Sequence, residues 1–233
     1  MKRVSFIFLV ILFGSFCNPA MAWFDLTHIA IGKVAEFDQA YNLAAPDVAK
    51  LKADTVEEYN HWVNNPEANT LSPSLIRGQI QKYNLGKESE KTGHLYGAIV
   101  AAIRAYQDES AAGRFATYHL AYAGHYIGDL SMPFHNMERN AFNNSLRHIK
   151  NDGVIENEVL AHLDKIKLFP MTIKDEEDLI QNVALIATKS KELGYRLQKE
   201  DKDTMSAEEA YQQLSQSASL FKAVLEYVGY PKK

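Results

Sequence analysis

Residues 115–135 read F-A-T-Y-H-L-A-Y-A-G-H-Y-I-G-D-L-S-M-P-F-H. The first two thirds are mostly apolar, aromatic or small, which predicts a helix buried in the middle of the protein. His125 and Asp129 are four residues apart, so their side chains leave one face of that helix. Because Pro133 cannot continue the helix, the chain turns there and His135 can return beside the same face. His125, Asp129 and His135 therefore offer two imidazoles and one carboxylate to a small volume.

These three side chains are of the types that bind zinc in proteins. A His and an Asp at this spacing also occur as an ordinary surface pair. In a buried helix, however, each group needs a partner, and a metal ion would supply one. His148 and Asp152 repeat the same spacing in H-I-K-N-D. Two such pairs favour a metal site, and the absence of a nearby cysteine suits a hydrolytic site better than a purely structural one.

The N-terminal segment has the pattern of a secretory signal peptide. Lys2 and Arg3 precede an apolar run over residues 4–16, and the small residues of A-M-A follow at 20–22. The apolar run is well short of the ~20 residues that span a bilayer, so a membrane anchor is the weaker interpretation. We therefore predict cleavage after Ala22.

Cleavage would divide the chain into a signal peptide, residues 1–22, and a single domain, residues 23–233, that is secreted or periplasmic. It would remove the only cysteine, Cys17, whose lipidation is a minor alternative because the preceding residues form a poor lipobox. Loss of Lys2 and Arg3 takes the formal charge from −4 to −6, which argues against broad electrostatic binding of nucleic acid. A domain of this length can be stabilised by its core without disulfides.

Hydrophobic periodicity predicts an all-α domain of several helices, with no alternating strand pattern, repeat or low-complexity segment. A helical pattern follows His28, and another follows His94. Further helices are expected at 46–63, 75–83, 115–128, 153–168, 175–199 and 206–228, with loops at 64–74 and after His135. We expect no transmembrane segment after processing.

Removal of the signal peptide would make Trp23 the first residue. A free α-amino group has a pKa of ~7.7–8.0, so it can lose its proton and bind a metal near neutral pH. His28 lies five residues downstream. The ordered set W-x4-H at 23–28, the isolated His94, H-x3-D-x5-H at 125–135 and H-x3-D at 148–152 resembles the superfamily of zinc-dependent phospholipases C and fungal-type single-strand nucleases.

The resemblance covers nearly all of the domain and implies a single compact multi-helix fold with a trinuclear zinc site in a cleft. It implies three groups of ligands. The first contains Trp23 and His28, the second contains His94 and His125, and Asp129 bridges these two. The third contains His135, His148 and Asp152. The last position is usually Glu in phospholipases and Asp in nucleases of this family. Glu156, one turn after Asp152, is the alternative ligand or a partner of the ligands.

The family also has an aspartate before the histidine that corresponds to His94. Asp54, in A-D-T-V-E-E-Y, resembles the nuclease version, and we expect it to act as a metal ligand and in catalysis. Glu88 and Glu90 are the alternatives. Three other histidines have no partner motif: His61 and His162 are predicted at the surface, and His119 in the core or next to the ligands.

Divalent ions can activate water and neutralise phosphate oxygens, which are the requirements of phosphodiester hydrolysis. The favoured hypothesis is a secreted zinc-dependent phospholipase C acting on phospholipid head-group phosphodiesters, because the spacing from His135 to His148 resembles the phospholipase version and the chain is acidic. A single-strand nuclease is the alternative, favoured by Asp152 and by W-x4-H. A non-catalytic, zinc-stabilised binding protein is the third hypothesis.

Overall fold

The structure is a computed structural model that describes residues 23–53, 55–85 and 92–231. Its described residues form nine α-helices: α1 (Asp25–Val34), α2 (Ala45–Ala53), α3 (Thr55–Glu58), α4 (Pro73–Ile80), α5 (Leu95–Ala111), α6 (Thr117–Ser131), α7 (Ser145–Asp152), α8 (Glu176–Lys199) and α9 (Ala207–Tyr227). Short 3-10 helices cover Ala40–Ala44, Pro133–Asn136, Val159–Ala161 and Leu163–Lys165. The prediction of an all-α domain is confirmed. The expected signal peptide, Asp54, Glu88 and Glu90 lie outside the described residues.

Helix α6 is the centre of the fold and packs against α1, α5, α8 and α9. From Leu120 to Ser131 only Tyr122 is not fully buried, as the run of apolar and small residues predicted. Glycine permits a close approach to α9, because a Cβ at Gly124 would lie 2.7 Å from Cζ of Phe221. The pair His125 and Asp129 thus lies inside the protein.

The start of α7 is fixed by a side-chain cap. Oδ1 of Asn144 accepts hydrogen bonds from the backbone N–H groups of Leu146 and Arg147, each at 3.1 Å. Such a cap satisfies donors that the first turn of a helix leaves without partners. It holds His148 and Asp152 in the helical register that their spacing predicted.

Two predicted helices differ from the structure. The range 46–63, expected as one helix, contains α2 and α3, and α3 ends at Glu58, where the chain tightens into a turn in which the backbone N–H of His61 donates to the carbonyl of Glu58 at 3.2 Å. The helix expected over 153–168 is replaced by two short 3-10 helices. There the chain runs along α9, and the N–H of Lys167 donates to Ser215 Oγ at 2.9 Å instead of to a helical carbonyl.

Within the described ranges no helix combines the length and apolar character needed to cross a membrane.

Candidate metal centre

Six separate parts of the chain bring imidazole and carboxylate groups together in the interior. Within the described residues, they form three groups whose ligand atoms lie within 4.8 Å of one another: His28, His125 and Asp129; Asp47, His61 and His125; and His135, His148 and Asp152. All eight side chains are at most 5% exposed. We call these the first, second and third donor groups.

The first donor group joins α1 to α6. Nε2 of His28 lies 3.4 Å from Oδ1 of Asp129, and the rings of His28 and His125 stack with their centroids 3.8 Å apart. Gly128 makes this approach possible, since a Cβ at that position would lie 2.6 Å from Cε1 of His28. The ring of His28 therefore occupies the space that a side chain at position 128 of α6 would fill.

The second donor group contains Asp47 from α2 and His61 from the turn after α3. Nδ1 of His61 lies 3.1 Å from Nε2 of His125, and Oδ1 of Asp47 lies 3.8 Å from the same His125 atom. Oδ2 of Asp129 is 2.9 Å from Nδ1 of His61, whereas Oδ1 faces the first group. The two oxygens of Asp129 are thus directed to two different groups.

The third donor group lies between the 3-10 helix Pro133–Asn136 and α7. The rings of His135 and His148 are 4.7 Å apart, and Nε2 of His148 lies 3.6 Å from Oδ2 of Asp152. Among the described residues, neither oxygen of Asp152 and neither Nε2 atom of the two histidines has a hydrogen-bond partner. A buried carboxylate without partners is costly, and a cation between these atoms would supply what they lack.

The donor spacing suits a small cation. Ligand atoms arranged tetrahedrally 2.0–2.2 Å from zinc are about 3.4 Å apart. The three groups contain donor pairs at 3.1, 3.4, 3.6 and 3.8 Å. The residues present therefore fit metal ions with nitrogen and oxygen ligands.

Hydrogen bonds to the far side of two imidazoles orient their near side toward the donor groups. Nδ1–H of His125 donates to the carbonyl of Leu43 at 2.7 Å, which leaves Nε2 to face the second group. Nδ1–H of His135 donates to the carbonyl of His61, which leaves Nε2 to face the third group. Partners of this kind fix the tautomer and ring angle of metal-binding histidines.

His61 has a carboxylate beside it, at ion-pair distance, although its Nε2 makes no hydrogen bond among the described residues. Its Nε2 lies 3.3 Å from Oε1 of Glu57, which is buried and accepts a hydrogen bond of 2.6 Å from the hydroxyl of Tyr126. Nδ2 of Asn60 donates to the other Glu57 oxygen at 3.2 Å. Oδ1 of Asn60 in turn lies 2.9 Å from Nε2 of His94. We call Glu57, Tyr126, Asn60 and His94 the outer network.

The protonation of the third donor group follows from its burial. Burial lowers the pKa of His135 to about 4 and also lowers the pKa of His148. Burial, together with the charges of Asp129 and Asp47, raises the pKa of Asp152 well above its usual range. Without a metal the histidines are therefore neutral, and Asp152 favours its protonated form.

The carboxylates of the other two groups are held ionised. Burial opposes this, but the neighbouring His125 and Lys50 lower the pKa of Asp47 to about 2. His125 and His135 likewise hold the pKa of Asp129 well below its usual range, against the effect of burial. These two acids provide the negative charge of the centre.

Two positive side chains also act on the centre. Lys50 is buried, with Nζ 2.8 Å from Oδ1 of Asp47. The guanidinium of Arg139 stacks on Trp62, 4.3 Å from the ring centroid. Burial and the nearby His135 make the largest contributions to the lowered pKa of His148, and the charges of Arg139 and Lys50 lower it further. The centre thus combines donors for cations with two groups that attract anions.

The structure brings together most of the residues proposed from the sequence: His28, His125, Asp129, His135, His148 and Asp152 all belong to donor groups. His94 does not belong to any of the three groups in the described part of the chain, and it lies instead in the outer network. Trp23 is fully buried immediately before α1, so its backbone is close in sequence to His28.

Glu156 has a different role from the one considered for it. Its carboxylate accepts hydrogen bonds from the backbone N–H groups of Leu26 at 2.8 Å and Thr27 at 3.1 Å, and from the Thr27 hydroxyl at 2.7 Å. It caps the start of α1. A carboxylate at a helix N-terminus is favoured by the free N–H groups there, and this one helps to position His28.

The prediction that His61 is a surface residue is wrong, because the side chain is 1% exposed and belongs to the second donor group. Asp47 was not singled out as a ligand. One sequence signal could have found His61: it lies four residues after Glu57, which is the spacing of the other two His–acid pairs. His162 is half-buried, and His119 lies with Nε2 3.6 Å from Glu109 rather than next to the donor groups.

Comparison of the chain with protein-family models, with curated proteins and with solved structures gives no match.

Proposed function

We propose that this protein is a zinc-dependent phosphodiesterase and that its substrates are phospholipids, cleaved as by a phospholipase C. One observation carries the proposal: three donor groups are buried side by side, and Asp129 directs one oxygen to the first group and the other oxygen to the second. A single structural metal ion would need only one such group. A shared carboxylate suits cations that act together on one phosphate.

When bound, zinc ions lower the pKa of water and neutralise charge on phosphate oxygens. The chain's own residues would do the rest. Asp47, Asp129 and Asp152 supply the negative charge that holds cations. Lys50 and Arg139 supply positive charge for an anionic substrate, and Lys50 already makes a close ion pair with Asp47.

We propose a revised ligand set for the second metal, with Asp47 and His61 in place of Asp54 and His94. The supporting distances are 3.1 Å from His61 to His125 and 3.8 Å from Asp47 to His125. The expected ligand Trp23, through its α-amino nitrogen, remains a proposal for the first donor group, because Trp23 lies two residues before α1 and His28 lies in the first turn of that helix.

A lipid substrate is favoured over a polyanion by two features. The chain has a formal charge of −4, which repels extended polyanions. Helix α2, which carries Asp47 on its buried side, exposes Val48 and Leu51 to solvent at 60% and 63%. Exposed apolar side chains beside a buried polar site are typical of proteins that handle lipids or apolar partners.

A single-strand nuclease is the second candidate, because Asp152 is the residue that resembles the nuclease version of the third donor group. Both candidates use the same centre, so one experiment distinguishes them. Protein beginning at Trp23, with no residue in front of it, is assayed in parallel on phosphatidylcholine and on single-stranded DNA, each with and without a zinc chelator.

We expect chelator-sensitive release of a phosphorylated head group, restored by added zinc. Chelator-sensitive release of nucleotides instead would favour the nuclease. If neither substrate is cleaved although the protein contains about three zinc ions, the centre is real and the proposed substrates are wrong. If the purified protein binds no metal, the proposal as a whole fails.

A further inference from the structure

A second feature lies on the surface formed by α8, α9 and the segment before α8. A groove of about 800 Å³ is lined there by Lys165, Lys167, Phe169 and Lys189, among others. None of its lining residues belongs to a donor group. We call Lys165, Lys167, Leu168, Phe169 and Lys189 the basic–apolar strip, and the proposed phosphodiesterase activity does not use it.

The apolar side chains of the strip are exposed, whereas apolar side chains near them in sequence are buried. Leu168 and Phe169 are 46% and 41% exposed, between Ile166 and Ile173, which are almost completely buried. On α8, Leu185 is 50% exposed and lies one turn before Lys189. This helix therefore adds another exposed apolar side chain next to a lysine. Neighbouring exposed apolar residues of this kind indicate an interaction site.

The segment that carries Leu168 and Phe169 is held in place. The N–H of Lys167 donates to Ser215 Oγ at 2.9 Å, and the N–H of Phe169 donates to Ser219 Oγ at 3.1 Å. Both serines lie on α9, four residues apart. The exposed side chains are therefore presented from a fixed backbone, so little conformational entropy is lost when they bind.

The charge of the strip is opposite to that of the whole chain. Among the described residues, three lysines and one acid, Glu208, line the groove, whereas the chain has a formal charge of −4. Lys165 interacts with Glu158 at 3.6 Å and lies over the ring of Tyr211. Lys167 and Lys189 line the same groove as the exposed Phe169. This local positive charge complements an anionic surface.

We propose that the basic–apolar strip docks the protein onto the surface of an anionic lipid bilayer. Lysines at a bilayer surface are attracted by anionic head groups, and leucine and phenylalanine side chains beside them can enter the interface. A single-stranded nucleic acid stacks successive bases on aromatic rings, and of the two apolar residues of the strip only Phe169 offers a ring, whereas Leu168 is aliphatic. The strip fits a bilayer better because it pairs lysines with aliphatic as well as aromatic side chains.

The test uses the full-length chain with metal and a Phe169→Trp variant as a reporter. The natural tryptophans, Trp23 and Trp62, are buried, so a tryptophan introduced in place of Phe169 reports on the strip. Vesicles of equal parts phosphatidylglycerol and phosphatidylcholine are mixed with the protein, and emission is read in the first seconds, before lipid is consumed. We expect a shift to shorter wavelength and quenching by brominated acyl chains, with little change for pure phosphatidylcholine.

Two further variants separate charge from apolar insertion in the original chain. Lys167→Ser with Lys189→Ser is expected to weaken vesicle binding about 25-fold, since each lysine contributes about five-fold. Leu168→Ser with Phe169→Ser is expected to weaken it about ten-fold or more. Lys202→Ser and Phe115→Ser, which change exposed residues elsewhere, are the matched controls and leave binding unchanged. The vesicle measurements are repeated on protein beginning at Trp23, because Lys2, Arg3 and the apolar run over residues 4–16 can themselves bind anionic vesicles and hide the losses expected of the strip variants.

The proposal is overturned if the emission of the Phe169→Trp variant does not respond to anionic vesicles, or if the strip variants bind them as well as the controls do. It is also overturned if the lysine variant loses affinity for a single-stranded oligonucleotide while vesicles never bind, because the strip then serves a nucleic acid. None of these measurements depends on phosphodiester hydrolysis, so failure of the proposed enzyme activity leaves the test intact.

Discussion

Oδ2 of Asp129 lies 2.9 Å from Nδ1 of His61, while the other oxygen of the same carboxylate lies 3.4 Å from Nε2 of His28. One side chain therefore serves two donor groups. Asp152, in contrast, belongs to the third group alone. Loss of the Asp129 carboxylate should therefore affect more bound metal ions than loss of the Asp152 carboxylate, and the metal content of each variant measures this.

We expect Asp129→Ala to lower the zinc content of the purified protein by about two equivalents and Asp152→Ala by about one. In Asp129→Ala the ions of the first and second donor groups each lose a ligand. In Asp152→Ala only the ion of the third donor group loses one. Elemental analysis after dialysis against low zinc measures both. Equal losses in the two variants would contradict a bridging role for Asp129.

The second prediction compares His61 with His94. His61→Ala removes a donor of the second group, so we expect loss of about one zinc equivalent and of most phosphodiesterase activity. His94 lies in the outer network and, among the described residues, in none of the three donor groups, so His94→Ala should retain the metal, with an activity loss of about ten-fold or less. Elemental analysis and steady-state kinetics test both variants. The opposite pattern would restore His94 as the ligand and reject the revised set.

The contrast between these two histidines shows what local sequence could predict. His125 with Asp129 and His148 with Asp152 were found because each pair lies on one helix, where a spacing of four residues fixes proximity. The return of His135 followed from the turn at Pro133. Most of α6 was likewise predicted as a buried helix from its run of small and apolar residues.

The approach of Asp47 and His61 to His125 could not be found in this way, because the tertiary fold brings these residues together from separate parts of the chain. The pattern that predicted a helix over 46–63 carried no information about contacts with α6. In the structure, the N–H of Val63 instead donates to the carbonyl of His135 at 2.8 Å, which draws this segment toward the third donor group. No local spacing encodes a hydrogen bond between residues so distant in sequence.

Glu57 provides a third prediction. Its carboxylate lies 3.3 Å from Nε2 of His61, so it can orient the ring and strengthen the ligand. We expect Glu57→Gln to weaken binding of the most weakly held zinc about 10- to 100-fold. Tyr126→Phe is the control, because it removes the hydrogen bond to Glu57 but keeps the charge, and its effect should be smaller. Competition with a fluorescent chelator measures the affinities.

If Glu57→Gln and Tyr126→Phe have equal effects on zinc affinity, the carboxylate acts only as a packing partner in the outer network. A larger effect of Tyr126→Phe would contradict the role given to the charge of Glu57.

The fourth prediction concerns Asp152 in the metal-free protein. Burial raises its pKa well above the usual 3.8, so the folded state holds a proton that the unfolded state has released. The unfolded state then binds fewer protons, and the free energy of unfolding falls as the pH rises from the unfolded-state pKa toward the folded-state pKa, by about 1.4 kcal/mol per pH unit. Asp152→Asn resembles the protonated form and should not show this loss.

We therefore expect Asp152→Asn to be more stable than the original protein at about pH 7 in a chelator, and less stable in saturating zinc, which binds the ionised carboxylate. Urea denaturation under both conditions gives the two free energies. Asp108→Asn, which neutralises an acid on α5 far from the donor groups in sequence, is the control and should show no reversal. A variant that is destabilised under both conditions would contradict the proton assignment.

The final prediction concerns Gly128, which allows α1 and α6 to pack closely and so determines the position of His28. A Cβ at this position would lie 2.6 Å from Cε1 of His28, closer than packed atoms allow, so the ring must move. Alanine favours a helix over glycine by about 1 kcal/mol, but overpacking costs about 1–3 kcal/mol, and here the clash is with a buried ring between two helices. We expect Gly128→Ala to lower the free energy of unfolding and to lose the zinc of the first donor group.

Gly78→Ala on α4 is the matched control, because a Cβ there meets nothing within 4 Å and the helical preference of alanine acts alone. It should stabilise the protein by up to about 1 kcal/mol and leave the zinc content unchanged. If Gly128→Ala behaves like this control, α1 and α6 have room between them. His28 would then be held by the metal and by the cap from Glu156 rather than by the close approach of the two helices.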